Sequence, residues 1–221
     1  FVRELVRTRL RTVDSVDHDH DHDHPHQSDD KVRAYYQILG QALKELLIEK
    51  GIISPSEIQS AMEKREATTP ANGAKVVARA WLDSEYRERL FMDANSAVAE
   101  FGIELPTTHL VALENTAKVH NVVVCTLCSC YPRDLLGLPP AWYKSKAYRS
   151  RVVHEPREVL KEFGTSLPDD VEVRVHDSTA DLRYLVVPMQ PDGTDDLGED
   201  VLRSLITRDT MIGVALAGRT S

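Results

Sequence analysis

The residues best equipped for chemistry are Cys125, Cys128 and Cys130, the only cysteines among 221 residues. They lie in the stretch Val124-Cys125-Thr126-Leu127-Cys128-Ser129-Cys130-Tyr131. Cys125 and Cys128 have the spacing of a metal loop, and Cys130 follows after Ser129 alone. That short step places the backbone amides of Ser129 and Cys130 between two sulfurs. Three thiolates and two amide nitrogens can close around one ion and leave a position for water or substrate. A peptide nitrogen ligates only when deprotonated, which needs a strongly Lewis-acidic centre. Trivalent cobalt or iron therefore suits such a set better than zinc. Two plainer readings stand beside it. Three thiolates suit zinc with a fourth ligand from elsewhere, and small thiols can also be buried at a strand end with no metal. A disulfide is the weakest reading, because the number is odd, the chain is large and no secretory signal is visible.

Other polar residues offer less. His120, five residues before Cys125, is a candidate fourth ligand or supporting group, though a strand-entry histidine in contact with solvent is the simpler expectation. His154-Glu155 and His176-Asp177 pair an imidazole with an acid, but neighbours on a strand face opposite sides, so His176-Asp177 makes a poor dyad. Tyr131 can fix the loop through its hydroxyl or merely pack. Arg149, Arg151 and Arg157 either meet a partner's acids or form a solvated helix face. Neither a Gly-x-Ser-x-Gly elbow nor a Gly-x-x-x-x-Gly-Lys phosphate loop occurs. Asp17 to His26 carries five histidines in low-complexity sequence. It reads as a disordered, solvated linker that binds divalent metals weakly, with a cobalt or nickel reservoir as the functional alternative.

The elements that must position the cysteines follow from periodicity. Val32 to Lys50 carries Ile38, Leu39, Ala42, Leu43, Leu46 and Leu47 in a helical stripe stopped by Gly51. Ser54-Pro55-Ser56-Glu57 has the register of a capping box opening a second helix. Helices are expected over 74–82, over 84–92 with Ser84 as cap, and over 94–101, ending at Gly102. From His109 the pattern becomes β-rich: 109–113 and 121–124 are strands, the second delivering Cys125 to its loop. Helices follow over 139–148 and 156–163, strands over 171–175 and 182–187, a helix over 199–207 and a last strand over 211–215. The expected fold is α/β (α+β), a helical arm ahead of a layered α-β-β-α domain that carries the metal loop. The boundaries read as 1–30 for a disordered segment, 31–104 for the arm and 105–217 for the metal-binding domain. The opening residues 1–13, rich in Arg, could form a short amphipathic helix, and a start at Phe1 suggests that the true start is missing or processed. The net charge of −8 argues against a nucleic-acid surface. No apolar run reaches the length of a membrane span, and a cytoplasmic location is expected.

The cysteine loop resembles that of the nitrile hydratase alpha subunit and, equally, that of the thiocyanate hydrolase gamma subunit. The likeness extends to Leu113-Glu114-Asn115-Thr116, to the run from Leu136 to Ser145, to Tyr148-Arg149-Ser150-Arg151-Val152-Val153, to Arg183-Tyr184, to Gly193-Thr194 and to the stretch from Arg208 to Val214. It covers roughly Leu43 to Ala217. The resemblance implies a low-spin cobalt(III) centre, one per chain, held by Cys125, Cys128, Ser129 and Cys130, with iron(III) the lesser alternative. It implies a thiolate at Cys125, a sulfinate at Cys128 and a sulfenate at Cys130, the last two acting in catalysis. Thr126, where iron forms usually carry serine, points to cobalt. It further implies a beta-type partner, separate or fused, in a heterodimer or heterotetramer, and a small nitrile as substrate. Pro132-Arg133 departs from the nitrile branch, which usually has tryptophan at Arg133, and favours thiocyanate. The run Leu138-Pro139-Pro140-Ala141-Trp142-Tyr143-Lys144 reads like the nitrile branch. A non-enzymatic metal-storage or structural zinc protein is the reading from a different class.

Overall fold

The computed structural model describes residues 26–218, with side chains described from Ala34 onward except at positions 64 and 65. The residues before Lys64 and those from Lys64 onward form two compact units. In the first, α1 (His26–Glu49) is followed by Gly51, whose φ of 64° turns the chain out of the helix. Its apolar stripe is only partly covered: Ala42 is buried, while Leu39 and Leu43 remain exposed. The expected capping box opens α2 (Pro55–Glu66), with Ser54 N donating to Glu57 Oε2 at 2.7 Å and Glu57 N to Ser54 Oγ at 3.2 Å. The histidine-rich stretch falls, up to Pro25, outside the described residues.

The second unit is a mixed α/β body. Its helical opening comprises α3 (Ala71–Leu82), α4 (Ser84–Met92) and α5 (Ala94–Ala99). These helices were expected in the arm, yet Val76, Val77, Tyr86, Leu90 and Val98 join one hydrophobic core with the strands. The reason is compositional: α3 presents Gly73, Ala74, Ala78 and Ala80 inward, and such small residues let other elements approach closely. Gly73 itself leaves no space for a Cβ, being packed on Met211 and Leu136. The cap of α4 is Asp83 rather than Ser84, its carboxylate accepting from Tyr86 N at 3.0 Å.

Four strands follow as two parallel pairs. β1 (His109–Glu114) pairs with β4 (Leu182–Val187), and β2 (Val119–Val124) with β3 (Glu172–Asp177). Parallel pairing requires a long crossover, here supplied by short helices: α6 (Arg133–Leu136), α7 (Ala141–Lys144), α8 (Lys146–His154) and α9 (Pro156–Glu162). The single helix expected over 139–148 is broken at Ser145, which is extended and caps α8 by accepting from Tyr148 N at 3.1 Å. After α10 (Glu199–Ser204) the expected final strand over 211–215 is instead α11 (Arg208–Ile212). Thr207 and Thr210 form a reciprocal capping box there, and Gly213, at φ 90°, ends the helix. Among the described residues no helix is long and apolar enough to cross a membrane.

Candidate metal centre

β2 delivers Cys125 from a rigid position. Val122, Val123 and Val124 are fully buried, and Ser178 N donates to Val124 O at 2.7 Å, extending the ladder one step past β3. The loop that follows is tied down at both ends. Asp177, opposite Val124 in the β2–β3 register, accepts from Thr126 N at 2.9 Å and from Thr126 Oγ1 at 2.5 Å. Arg149 Nη1 donates to Thr126 O at 3.3 Å. At the far end Tyr143 Oη donates to Cys130 O at 2.8 Å, and Tyr148 Oη donates to Val123 O at 2.8 Å beneath the loop. Burial raises both phenols well above their ordinary value, so they remain donors.

The three sulfurs lie within 4.8 Å of one another. Cys125 Sγ is 3.5 Å from Cys128 Sγ, which is 3.2 Å from Cys130 Sγ. Cys125 is buried, Cys130 half-buried and Cys128 exposed. The N–H groups of Ser129 and Cys130 turn toward the Cys128 sulfur. Hydrogen bonding from the Cys130 thiol, then from Cys125 and these amides, lowers the Cys128 pKa. Burial, then the shared hydrogen bonds with Cys128 and Cys125, pushes Cys130 up to about 12 against the pull of the Arg183 charge. Three thiols this close cannot all ionise unless a cation shares their charge. The donor set therefore fits a metal ion, with Cys125, Cys128 and Cys130 offering sulfur and the Ser129 and Cys130 amides facing the same space.

The loop forms one wall of a cavity of about 330 Å³. Cys128, Ser129, Cys130 and Arg133 line that wall, and Leu110 of β1 and Arg183 of β4 line the other. Arg183 was not singled out as a site residue from the sequence. It lies more than fifty residues beyond the loop, and only the β1–β4 pairing, Leu110 opposite Arg183, brings it there. Its guanidinium is anchored by the carbonyls of Thr179 and Leu182.

The other candidates separate cleanly. His120 is neither solvent-exposed nor near the sulfurs in bonding: it is 3% exposed, with Nε2 2.8 Å from Gly213 O and Nδ1 3.2 Å from Asn115 Nδ2. His176 bonds Asn121 Oδ1 at 2.8 Å while Asp177 turns to Thr126, so they form no dyad. Glu155 pairs with Arg151 rather than with His154. Arg151 also pairs with Glu162, and Arg157 binds the carbonyls of Leu167, Pro168, Asp169 and Val171. Tyr131 packs its ring edge-on against Tyr143 at 5.2 Å, and its buried hydroxyl makes no hydrogen bond. Tyr143, not Tyr131, is the phenol that holds the loop.

A strand-end loop with three convergent thiols, on two crossed-over parallel pairs, makes a group that could hold a metal ion. The chain belongs to the family described as "Nitrile hydratase, alpha chain", whose pattern matches residues 34–215. It is 50% identical over 185 residues to the high-molecular weight cobalt-containing nitrile hydratase subunit alpha of Rhodococcus rhodochrous, covering 82% of this chain and 91% of that one. It is 43% identical over 193 residues to the thiocyanate hydrolase subunit gamma of Thiobacillus thioparus, covering 82% and 79%. Among solved structures, a recombinant thiocyanate hydrolase with partially modified cobalt centres matches with a TM-score of 0.77 at 41% identity, covering 82% and 89%. An iron-type nitrile hydratase variant from Comamonas testosteroni Ni1 matches with a TM-score of 0.77 at 40% identity, covering 83% and 91%.

Proposed function

We propose that this chain is the metal-bearing alpha subunit of a cobalt nitrile hydratase, which adds water to R–C≡N to give R–C(O)NH₂. The observation that carries this reading is the convergence of the Cys125, Cys128 and Cys130 sulfurs on a loop held open to the cavity. Those sulfurs and the Ser129 and Cys130 amides would hold one cobalt(III) ion, with Thr126 and the cobalt-containing relatives supporting cobalt over iron. When bound, the ion supplies Lewis acidity, polarising the nitrile or acidifying a water. The chain's own residues do the rest. Cys125 remains a thiolate. Dioxygen oxidises Cys128 to a sulfinate, both oxygens adding to the sulfur, and a second dioxygen takes two electrons from Cys130 and leaves as hydrogen peroxide while water supplies the one sulfenate oxygen. The Cys130 oxygen accepts a proton from the attacking water and returns it to the nitrile nitrogen, giving an imidic acid that tautomerises to the amide, and Asp177 and Tyr143 keep the loop in register.

A beta-type subunit, separate or fused, completes the site in a heterodimer or heterotetramer. Oxidised sulfurs are charged acceptors that need strong donors in a shielded place. Arg133 and Arg183 border only part of the cavity, and Leu127, at the loop's tip, is 88% exposed. The exposed Leu39 and Leu43 of α1 likewise suit a covering partner.

Thiocyanate hydrolysis is the second reading, favoured by the two guanidinium groups beside the cysteines, which would attract an anion. The deciding experiment assays the complex, purified with its co-expressed partner, on small nitriles and on thiocyanate. Higher kcat/KM on a nitrile supports the first reading, and higher kcat/KM on thiocyanate replaces it with the second.

A further inference from the structure

Asn115 stands immediately after β1 and bonds directly to β2 and β4. Its backbone N donates to Val187 O at the end of β4, at 3.0 Å. Its Oδ1 accepts from Asn121 N at 2.7 Å and from Asn121 Nδ2 at 3.0 Å, both on β2. Its Nδ2 meets His120 Nδ1 at 3.2 Å, and His120 Nε2 meets Gly213 O after α11 at 2.8 Å. Asn121 Nδ2 also donates to Glu114 O at 2.7 Å, while its Oδ1 faces His176 Nε2 of β3. One chain of side chains thus bonds β1, β2, β3, β4 and the end of α11.

The protons in this chain are fixed by its backbone anchors. Asn121 N can only donate, so Asn115 Oδ1 must face it and Asn115 Nδ2 must face His120. His120 Nδ1 is therefore a bare acceptor, and Nε2 carries the proton given to Gly213 O. Glu114 O can only accept, so Asn121 Oδ1 faces His176, whose Nε2 must be protonated. No flipped amide or other tautomer satisfies the same set.

The cavity lies across the two strand pairs, with the cysteine loop continuing β2 on one side and Leu110 and Arg183 on the other. We propose that Asn115, His120 and Asn121 are positioning residues, locking the strand that carries Cys125 to the β1–β4 pair and so setting the cysteine loop against the Arg183 wall. They touch neither sulfur nor substrate and act through the placement of β2. The proposal needs only that Cys125 lies at the site, and its test requires no metal.

The test uses the full metal-free chain and a small thiol reagent, reading the labelling rate of each cysteine by peptide mass. In the parent protein Cys128, exposed and with a lowered pKa, labels first, and Cys125, 1% exposed, labels slowly. His120→Ala and Asn115→Ala should raise Cys125 labelling about tenfold, because β2 opens locally from its neighbours. His120→Gln, which keeps a neutral donor for Gly213 O, should restore slow labelling. Val159→Ala on α9, compared at a temperature where the loss of folding stability is the same, controls for general loosening. The proposal predicts that the control leaves Cys125 slow. Equal Cys125 rates in His120→Ala and Val159→Ala, or fast labelling in His120→Gln, would overturn it. A failure of cobalt binding would leave these rates untouched, so the two readings fail separately.

Discussion

Asp177 closes β3 and holds Thr126 by two hydrogen bonds, one to its backbone N–H at 2.9 Å and one to its hydroxyl at 2.5 Å. The carboxylate thereby joins the second strand pair to the first turn of the cysteine loop, one residue after Cys125. Asp177→Ala removes both acceptors. It should lower the metal-to-protein ratio of the purified complex and cost about 1–3 kcal/mol in stability. Asp177→Asn, which keeps one acceptor, should fall between the two. Elemental analysis beside a denaturant titration measures both effects. Full metal occupancy in Asp177→Ala would show that the loop does not depend on this anchor.

Two neighbouring phenols should respond oppositely to loss of their hydroxyls. Tyr143→Phe strands the Cys130 carbonyl and should cost about 1–2 kcal/mol. Tyr131→Phe removes a buried hydroxyl that bonds to nothing and should be neutral or slightly stabilising. Chemical denaturation of both variants decides it, and equal losses would contradict the assignment of Tyr143 as the phenol that anchors the loop.

His120 gives the fold a pH dependence of definite sign. Burial lowers its pKa below the unfolded value of 6.5, so the unfolded chain binds the proton more readily. Its contribution is complete above pH 6.5 and declines as pH falls below that value, when a proton on Nδ1 would confront Asn115 Nδ2. His176, also lowered by burial and then by Arg174, adds a slope of the same sign. His120→Gln should therefore flatten the fall in Tm on acidification without abolishing it. An unchanged slope would mean that His120 does not titrate with unfolding.

Much of this arrangement was legible in local sequence. The run Asn121 to Val124 announces a buried strand, and the cysteines at its end announce a loop with metal spacing. Gly51 and Gly102 follow their helices with positive φ, as their positions suggested. What was not legible depends on distant contacts. Val214 and Ile212 resemble a strand, but a Thr207–Thr210 capping box folds 208–212 into a helix. Ser145 breaks an apparently continuous helix by capping the next one. Arg183 reaches the cavity only through strand pairing, and His120 reads as a surface residue until Gly213 and Asn115 enclose it.

The charge at the cavity mouth should govern substrate choice. Arg133→Leu removes one of two guanidinium groups lining the wall beside the cysteines. Nitrile hydration should change less than threefold or so, whereas any thiocyanate turnover should fall about tenfold and lose much of its salt dependence. Steady-state kinetics on both substrates at two ionic strengths reads this out. An equal loss on both substrates would show that Arg133 supports the loop rather than selecting the substrate.

In the proposed function Cys125, Cys128 and Cys130 hold one trivalent cobalt ion and are oxidised unequally. The most direct measurement combines metal analysis of the chain purified with its partner and tandem mass spectrometry of the unreduced peptide spanning Cys125 to Cys130. One cobalt per chain is expected, with two oxygens added at Cys128, one at Cys130 and none at Cys125. An active, metal-loaded preparation with zinc in place of cobalt, or with three unmodified thiols, would contradict it.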